Sequence, residues 1–561
     1  MKKRVFIGVA WPYVNGELHI GHLAGYLLPA DICARYNRLM GNEVLMVSGS
    51  DCFGTPITIE ADKRGVTPKE IAEEYHSQDV HLFKDILHLT YDLYTRTDHP
   101  NHIKVTQELF LRMLKKGYIL IDESKQYYSQ KEKRFLPDRY VVGTCSYCKF
   151  NEARADQCDN CVKLINQGEL IDAKSNLGGE PVELKESQHY FVDWPKLEPK
   201  IKKYVRTKEK LWKEWVSKET WGWLKEGLRP RAITRDMNWG VPLPVEKIPK
   251  DQLIENIQNK RFYVWFDAVT GYLSASILWG KEKRKSWKKF WYGDNLKHYY
   301  FMGKDNLVFH TIFWPGQLIS YDEKIHLPDL PSINRFLSLD NQKFSKSRGV
   351  TIEIRKMVEH FGNDRVRFYL TFIMPEIKDT SFNWHDFEEK INGILVGNLG
   401  NFIHRTLSIG YQGKILKMAN YQIKKEVASR VQKAFYQSEK NLQNCEFRNY
   451  LASLLSLSRF GNKYFDKQKV WILKKENTEK FKETLSQLHF IILSLGYLML
   501  PLMPEASSEL FKQLGLPQPQ EWPKKAQDLE RLKSLIRKIN TSIKPKPLFQ
   551  KVAAEDYQIF S

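Results

Sequence analysis

"YVNGELHIGHLAGYLLPADICARY", Tyr13 to Tyr36, comes directly after a short apolar run, Val5 to Ala10. The run reads as a buried strand and the segment after it as a helix, so two histidines, His19 and His22, fall at a strand-to-helix turn. Histidine is polar and titrates near neutral pH, an awkward residue for a buried turn that makes no use of it. The start of a helix offers unpaired N–H groups and partial positive charge, which suit an anion. Gly21 lets a nucleotide approach the backbone closely. Pro29 predicts that a short first helix ends near it and another begins there.

Working outward, residues 43–48 read as a second buried strand. Val264-Trp265-Phe266 and His298 to Met302 read as two more, each running into a polar turn. Strands alternating with helices predict an α/β fold with a parallel, doubly wound Rossmann-type sheet. It comes in two pieces, 1–116 and 228–325, around an insert at 117–227 that carries cysteine pairs and a basic, Trp-rich stretch, Lys200 to Lys225. A linking region occupies 326–375. From 376 to 561 strand signals disappear and amphipathic helices take over.

In such sheets ligands bind beyond the carboxyl ends of the strands. Those ends hold Trp11 and Tyr13, then Asp51 with Gly54, then Trp265, Asp267, Ala268 and Tyr272, then Asp305, Asn306 and His310. One Asp after a strand is commonly a helix cap; four such ends together mark a site. Far downstream, Lys343-Phe344-Ser345-Lys346-Ser347 is a polar cationic string. Alone it reads as a surface loop, but paired with the histidine turn it reads as a phosphate clamp, because nucleotidyl transfer is mostly positioning and charge neutralisation.

Length and composition frame these motifs. A chain of 561 residues is too long for one core. At 42% hydrophobic and 27% charged it has a soluble globular composition, while 87 Lys+Arg against 66 Asp+Glu leave +21. That excess suits a polyanionic partner, or equally a solvated lysine-rich surface. The N-terminal apolar run is too short for a signal peptide, and Phe490 to Met503 is too short to span a bilayer. Phe481, Leu485, Leu488, Ile492 and Leu495 recur instead at the spacing of a bundle helix, so a cytosolic protein without membrane contact is expected. In such a compartment Cys145, Cys148, Cys158 and Cys161, spaced C-x2-C-x9-C-x2-C, predict one closed, structural Zn2+ site.

His19-Ile20-Gly21-His22 and Lys343 to Ser347 resemble the "HIGH" and "KMSKS" signatures of class I aminoacyl-tRNA synthetases, with Phe344 in place of Met. With the four-cysteine knuckle between them, the whole chain is most similar to the methionyl-tRNA synthetase family. The resemblance implies activation of methionine by ATP, with Mg2+, to methionyl-adenylate, and transfer to the terminal adenosine of tRNA(Met). It implies that His19, His22, Lys343 and Lys346 stabilise the reacting phosphorus. Gly21 and Ser345 would join them in holding ATP. Asp51 would hold the substrate ammonium, and Trp11, Tyr13, Trp265, Ala268, Tyr272 and His310 the side chain; a thioether packs well on aromatic edges. The all-α domain would bind the anticodon through Asn401 and Trp471. Asn398 is a candidate substitute for an asparagine that relatives carry where Gly397 stands. A chain without the C-terminal dimerising module of some relatives is expected to be a monomer.

Other classes fit less well. The insert is too small for the editing domains of the valyl, isoleucyl and leucyl enzymes. The cysteinyl enzyme uses zinc in its amino-acid site, whereas this four-cysteine set is closed. A small-molecule nucleotidyltransferase with an H-x-G-H turn needs no basic helical half carrying Trp471. A non-catalytic RNA-binding paralogue would have lost the lysine loop or the histidines.

Overall fold

The computed structural model describes residues 2–136, 140–166, 168–340, 342–343, 351–413, 421–523 and 526–560. At its centre is a five-stranded sheet: β1 (Arg4–Val9), β2 (Glu43–Ser50), β3 (Leu93–Arg96), β4 (Leu296–Gly303) and β5 (Leu330–Asn334). The order is β5-β4-β1-β2-β3, every pairing parallel. The chain moves from β1 to one side and returns on the other, so the order reverses between β1 and β4, where a ligand crevice opens.

Three expectations need correction. Val264–Asp267 is a helical turn, leading through Ala268–Thr270 into the helix Gly271–Glu282. A short apolar run suits a buried helix as well as a strand, and here the pairing strand is the preceding Lys260–Phe262, in a separate two-stranded sheet. The sheet unit also extends past 325, because β5 pairs with β4, and the strand Thr380–Phe382 lies beyond 376. Finally, Pro29 does not end a helix. The chain is helical from Ile20 to Leu39, with a π-helical stretch at Leu23–Leu27 and Pro29 in the first turn of Leu28–Leu39.

The insert contributes an antiparallel sheet in which Ile119–Ser129 pairs with Glu183–Val192, a small three-stranded sheet around the cysteines, and the helices Trp194–Lys208 and Glu214–Glu226. Trp194 stacks on Phe313 at 4.6 Å, seating the insert on the sheet unit. The C-terminal half is a helix bundle whose spine, Thr478–Met499, buries Phe481, Leu485, Leu488, Ile492 and Leu495. Among the described residues no helix is long and apolar enough to cross a membrane.

A buried charge joins these units. Asp31, on the helix after the histidine turn, pairs with Arg367 at 2.9 Å and with Arg35 at 2.7 Å. Arg367 is fully buried and also donates to the carbonyls of Leu502 and Pro501 at 2.6 and 3.0 Å, in the bundle. Burial pushes the Asp31 carboxyl up, but Arg35 and Arg367 outweigh it and hold it at about 2. Its contribution is therefore complete above the ordinary carboxylate range and is lost as pH falls through about 2. Asp31→Asn should strand the Arg367 guanidinium and cost about 3–5 kcal/mol, read as a lower urea midpoint at pH 7. A parental midpoint would show that the carbonyls of residues 501 and 502 suffice for Arg367.

Candidate functional site

The two histidines form a cap. His19 is extended (φ −108°, ψ 166°), and its Nδ1 accepts the Gly21 N–H at 3.1 Å. His22 Nδ1 accepts the His19 N–H at 3.2 Å. Two imidazoles thus do what Ser/Thr and Glu do in an ordinary capping box. With both Nδ1 atoms accepting, each neutral ring carries its proton on Nε2, the nitrogen that can donate to a ligand. The same turn is gripped from downstream: Ile20 N–H bonds the Ile352 carbonyl at 3.0 Å, and Ile354 N–H the Leu18 carbonyl at 3.1 Å. The chain emerging from the lysine motif is therefore fixed to the histidine turn. On the other side of that motif, Gln342–Lys343 pairs with Leu337–Leu339. Ser345 and Lys346 lie outside the described residues, and Lys343 is described only by its backbone.

Between β1 and β4 opens a cavity of about 370 Å³. Its lining brings together His19, Gly21, His22, Trp11, Tyr13, Asp51, Trp265, Ala268, Tyr272 and His310. Small residues make room for the aromatic walls. A Cβ on Gly49 would overlap the Trp11 ring, one on Gly271 would come within 2.6 Å of it, and one on Gly54 would overlap Tyr13. Trp265 Nε1 donates to Tyr13 Oη at 2.8 Å, and its ring meets Phe309 edge-on at 4.1 Å. His310 is neutral, pushed down to about 4 by burial, with Nδ1–H on the Asn306 carbonyl at 2.9 Å. Its Nε2 accepts from Tyr272 Oη at 2.7 Å. This end of the cavity is uncharged, aromatic and polarizable.

An acidic pair lies beside these aromatics, Tyr13 being bridged to Asp51. Asp51 and Asp267 are both buried, and burial pushes both carboxyls up, the Asp267 charge adding to the cost at Asp51. His102 Nε2 sits 3.3 Å from Asp267 Oδ2, close enough for an ion pair, but burial holds His102 at about 3, so the contact is a neutral hydrogen bond. Asp267 Oδ1 has no hydrogen-bond partner among the described residues. An ammonium bound at Asp51 would relieve this. Asp267 was legible as a strand-end residue, but its link to His102, 165 residues away, carries no local signal.

The four cysteines converge. Their ligand atoms all lie within 4.8 Å of one another, with Cys145 and Cys161 sulfurs 3.9 Å apart and those of Cys148 and Cys158 3.6 Å apart. Disulfides would need about 2.0 Å, whereas sulfurs about 2.3 Å from a tetrahedral zinc lie about 3.8 Å apart. The residues fit the metal. Each C-x2-C turn closes identically: Lys149 N–H bonds the Cys145 carbonyl and Val162 N–H the Cys158 carbonyl, both residues left-handed (φ 61° and 63°). Unforeseen from the spacing, Gln157, Cys158, Asp159 and Val162 line the cavity as well.

On the bundle, Asn401 and Trp471 are exposed, Trp471 at 46%. One turn after Asn401, the Arg405 guanidinium lies 4.3 Å over the Phe465 ring, which stacks near Trp471 at 6.3 Å. Arg405 was not picked out from the sequence. Asn398 is half-buried, its Oδ1 accepting from Ser458 at 2.7 Å and its carbonyl from Asn462 at 3.0 Å. Gly397 sits in the π-helical stretch Ile391–Gly400, where a Cβ would stand 2.9 Å from the Asn392 carbonyl oxygen.

Comparison with known proteins agrees with this arrangement. Residues 5–407 match the family model "tRNA synthetases class I (M)", and 416–561 match "Anticodon binding domain of methionyl tRNA ligase". A methionine–tRNA ligase of Dehalococcoides mccartyi is 40% identical over 97% of this chain and 98% of its own. One from Roseiflexus is 39% identical over 92% and 87%. A Mycobacterium tuberculosis methionyl-tRNA synthetase, solved with methionyl-adenylate, shares the fold with a TM-score of 0.77 at 24% identity, covering 98% of this chain and all of the other. The chain belongs to the methionyl-tRNA synthetase family of class I tRNA synthetases.

Proposed function

We propose that this chain is a methionine–tRNA ligase, using ATP to activate methionine and passing the methionyl group to tRNA(Met). The observation that carries the reading is one cavity lined together by a histidine cap, a buried carboxylate and a set of aromatic side chains. Asp51 takes the methionine ammonium. Trp11, Tyr13, Trp265, Ala268, Tyr272 and His310 surround the thioether, with His310 kept neutral so that no charge faces sulfur. The methionine carboxylate oxygen attacks the α-phosphorus of ATP, and pyrophosphate leaves. Gly21 admits the nucleotide, His19 and His22 donate from Nε2 to its oxygens, and Lys343, Ser345 and Lys346 neutralise the leaving phosphates. Mg2+ accompanying ATP would supply further neutralisation of that charge. The terminal 2′-hydroxyl of tRNA then attacks the adenylate carbonyl and AMP leaves. Asn401 and Trp471 read the anticodon, Trp471 by stacking on a base, worth ~1–3 kcal/mol. Cys145, Cys148, Cys158 and Cys161 hold one Zn2+, which supplies a structural crosslink.

Pyrophosphate exchange into ATP should be driven by methionine alone among the twenty amino acids; exchange with another would keep the class and discard the pocket. His22→Ala should slow adenylate formation about 10²–10³-fold, and Lys346→Ala should slow it with methionine affinity retained. Because burial raises the Asp51 carboxyl, methionine binding should tighten as pH rises through its titration. Asp51→Asn should flatten that pH profile and weaken binding at least tenfold, while the ligand-free protein melts no lower than its parent. A lowered melting temperature would count against the strained carboxylate. Trp471→Ala should weaken tRNA charging and spare exchange. Chelation should release about one zinc per chain and disturb the insert before the sheet.

A further inference from the structure

The helix that carries His22 is built with a fault. At Leu23–Leu27 it is π-helical, and Leu28 N–H bonds the Leu23 carbonyl; a regular α-helix would have sent it to Ala24. Pro29 comes next and has no N–H for Gly25. The carbonyls of Ala24 and Gly25, in the turn directly behind His22, thus lose their ordinary donors. Both are met by one side chain from across the fold. Asn334, the last residue of β5 and 1% exposed, donates from Nδ2 to the Gly25 carbonyl at 3.0 Å and to that of Ala24 at 3.3 Å.

The amide is held from its other side too. Asn334 Oδ1 accepts from the Lys213 ammonium at 2.9 Å, and the same ammonium bonds the Ile333 carbonyl at 3.0 Å. An ammonium only donates and a carbonyl only accepts, so the amide has one orientation available. Lys213 directly precedes the insert helix Glu214–Glu226. Burial opposes its charge and the Glu376 carboxylate supports it. Glu376, itself buried, accepts the N–H groups of Phe447 and Arg448 at 2.6 and 3.1 Å, at the start of the bundle helix Phe447–Lys467. Trp215 Nε1 donates to the Glu376 backbone carbonyl at 3.2 Å. The sheet and the insert therefore both bear on one amide behind the histidine turn.

We propose that Asn334 is a positioning residue for His22: it holds the π-turn open, and Lys213 fixes the orientation of its amide. The proposal rests on the reading of His22 as a phosphate donor. Its physical content is a two-state element. Each helical residue turns the chain about 100°, so healing the π-turn into a regular α-turn would swing His22 away from the cap it makes with His19. Asn334 favours the open state because only there do both carbonyls need it.

Asn334→Asp keeps the shape and the acceptor for Lys213 but has no N–H for the two carbonyls. In the full chain, single-turnover formation of methionyl-adenylate should fall at least tenfold, with the methionine dissociation constant within twofold of the parent. Transfer to tRNA from purified methionyl-adenylate, which skips the step at phosphorus, should also stay within twofold. Lys213→Met should give the same split with a loss of three- to tenfold, and it carries the test if Asn334→Asp fails to fold. A parental rate of adenylate formation in a folded variant overturns the proposal. So does an equal loss in methionine binding and in transfer, which would mark general damage. His22→Ala run alongside separates the two levels: a parental rate there overturns the underlying reading of His22, whereas lost activity there with a parental Asn334→Asp overturns the positioning role alone.

Discussion

The reciprocal cap between His19 and His22 is the constraint around which the catalytic unit is organised. A helix start has N–H groups to satisfy, and most proteins spend a serine or threonine and a glutamate on them. Using two imidazoles satisfies the same groups and settles which nitrogen of each ring holds the proton, so a structural requirement also sets the donors facing the cavity. The cap needs its two ends held in register. β1 delivers His19, pinned through Ala10 N–H to the Phe301 carbonyl of β4 at 2.9 Å, and the backbone after the lysine motif clasps Leu18 and Ile20. Residues 18–20 and 352–354, more than three hundred apart in sequence, are thereby joined by backbone hydrogen bonds.

Electrostatics sets neutral imidazoles and buried carboxyls side by side around the cavity. Histidines at its aromatic end and beneath it, His310 and His102, are kept neutral by burial, while the carboxyls of Asp51 and Asp267 are buried with too little positive charge. Buried carboxyls of this kind favour a ligand that brings a positive charge to them. Local conflict at a site, compensated in the surrounding core, is the expected signature of function rather than a defect of folding. The glycines at 49, 54 and 271 belong to the same economy of space: each gives up a side chain so that an aromatic ring can form a wall.

Much of this was readable because it is contiguous. The histidine turn, the cysteine pairs and the strand-end residues announce themselves within a few positions, and their chemistry follows from residue type. The features misread or missed depend on partners far along the chain. Val264-Trp265-Phe266 has no periodicity long enough to separate strand from helix, and only its packing into the run to Glu282 decides. β3 and β5 escaped because they are short, one of them holding Pro331 and ending in polar Ser332 and Asn334. Pro29 reads as a helix boundary, whereas the chain stays helical through it and the donor that meets the Gly25 carbonyl lies 309 residues downstream. Nothing in the cysteine spacing shows that the loop from Gln157 to Val162 walls the cavity.

The same dependence on distant partners explains why charged groups lie buried where the units meet. Asp31 with Arg367, and Glu376 with the first N–H groups of a bundle helix, are poor ways to gain stability, since desolvation offsets most of the attraction. Apolar contacts between sheet and bundle would bury as much surface and tolerate sliding. Directional bonds do not: Arg367 must meet Asp31 on one side and the carbonyls of Pro501 and Leu502 on the other at once, which leaves few relative placements of bundle and catalytic helix. For a chain whose histidine turn and exposed Trp471 belong to different units, a fixed placement matters more than the few kcal/mol that a greasier junction would add.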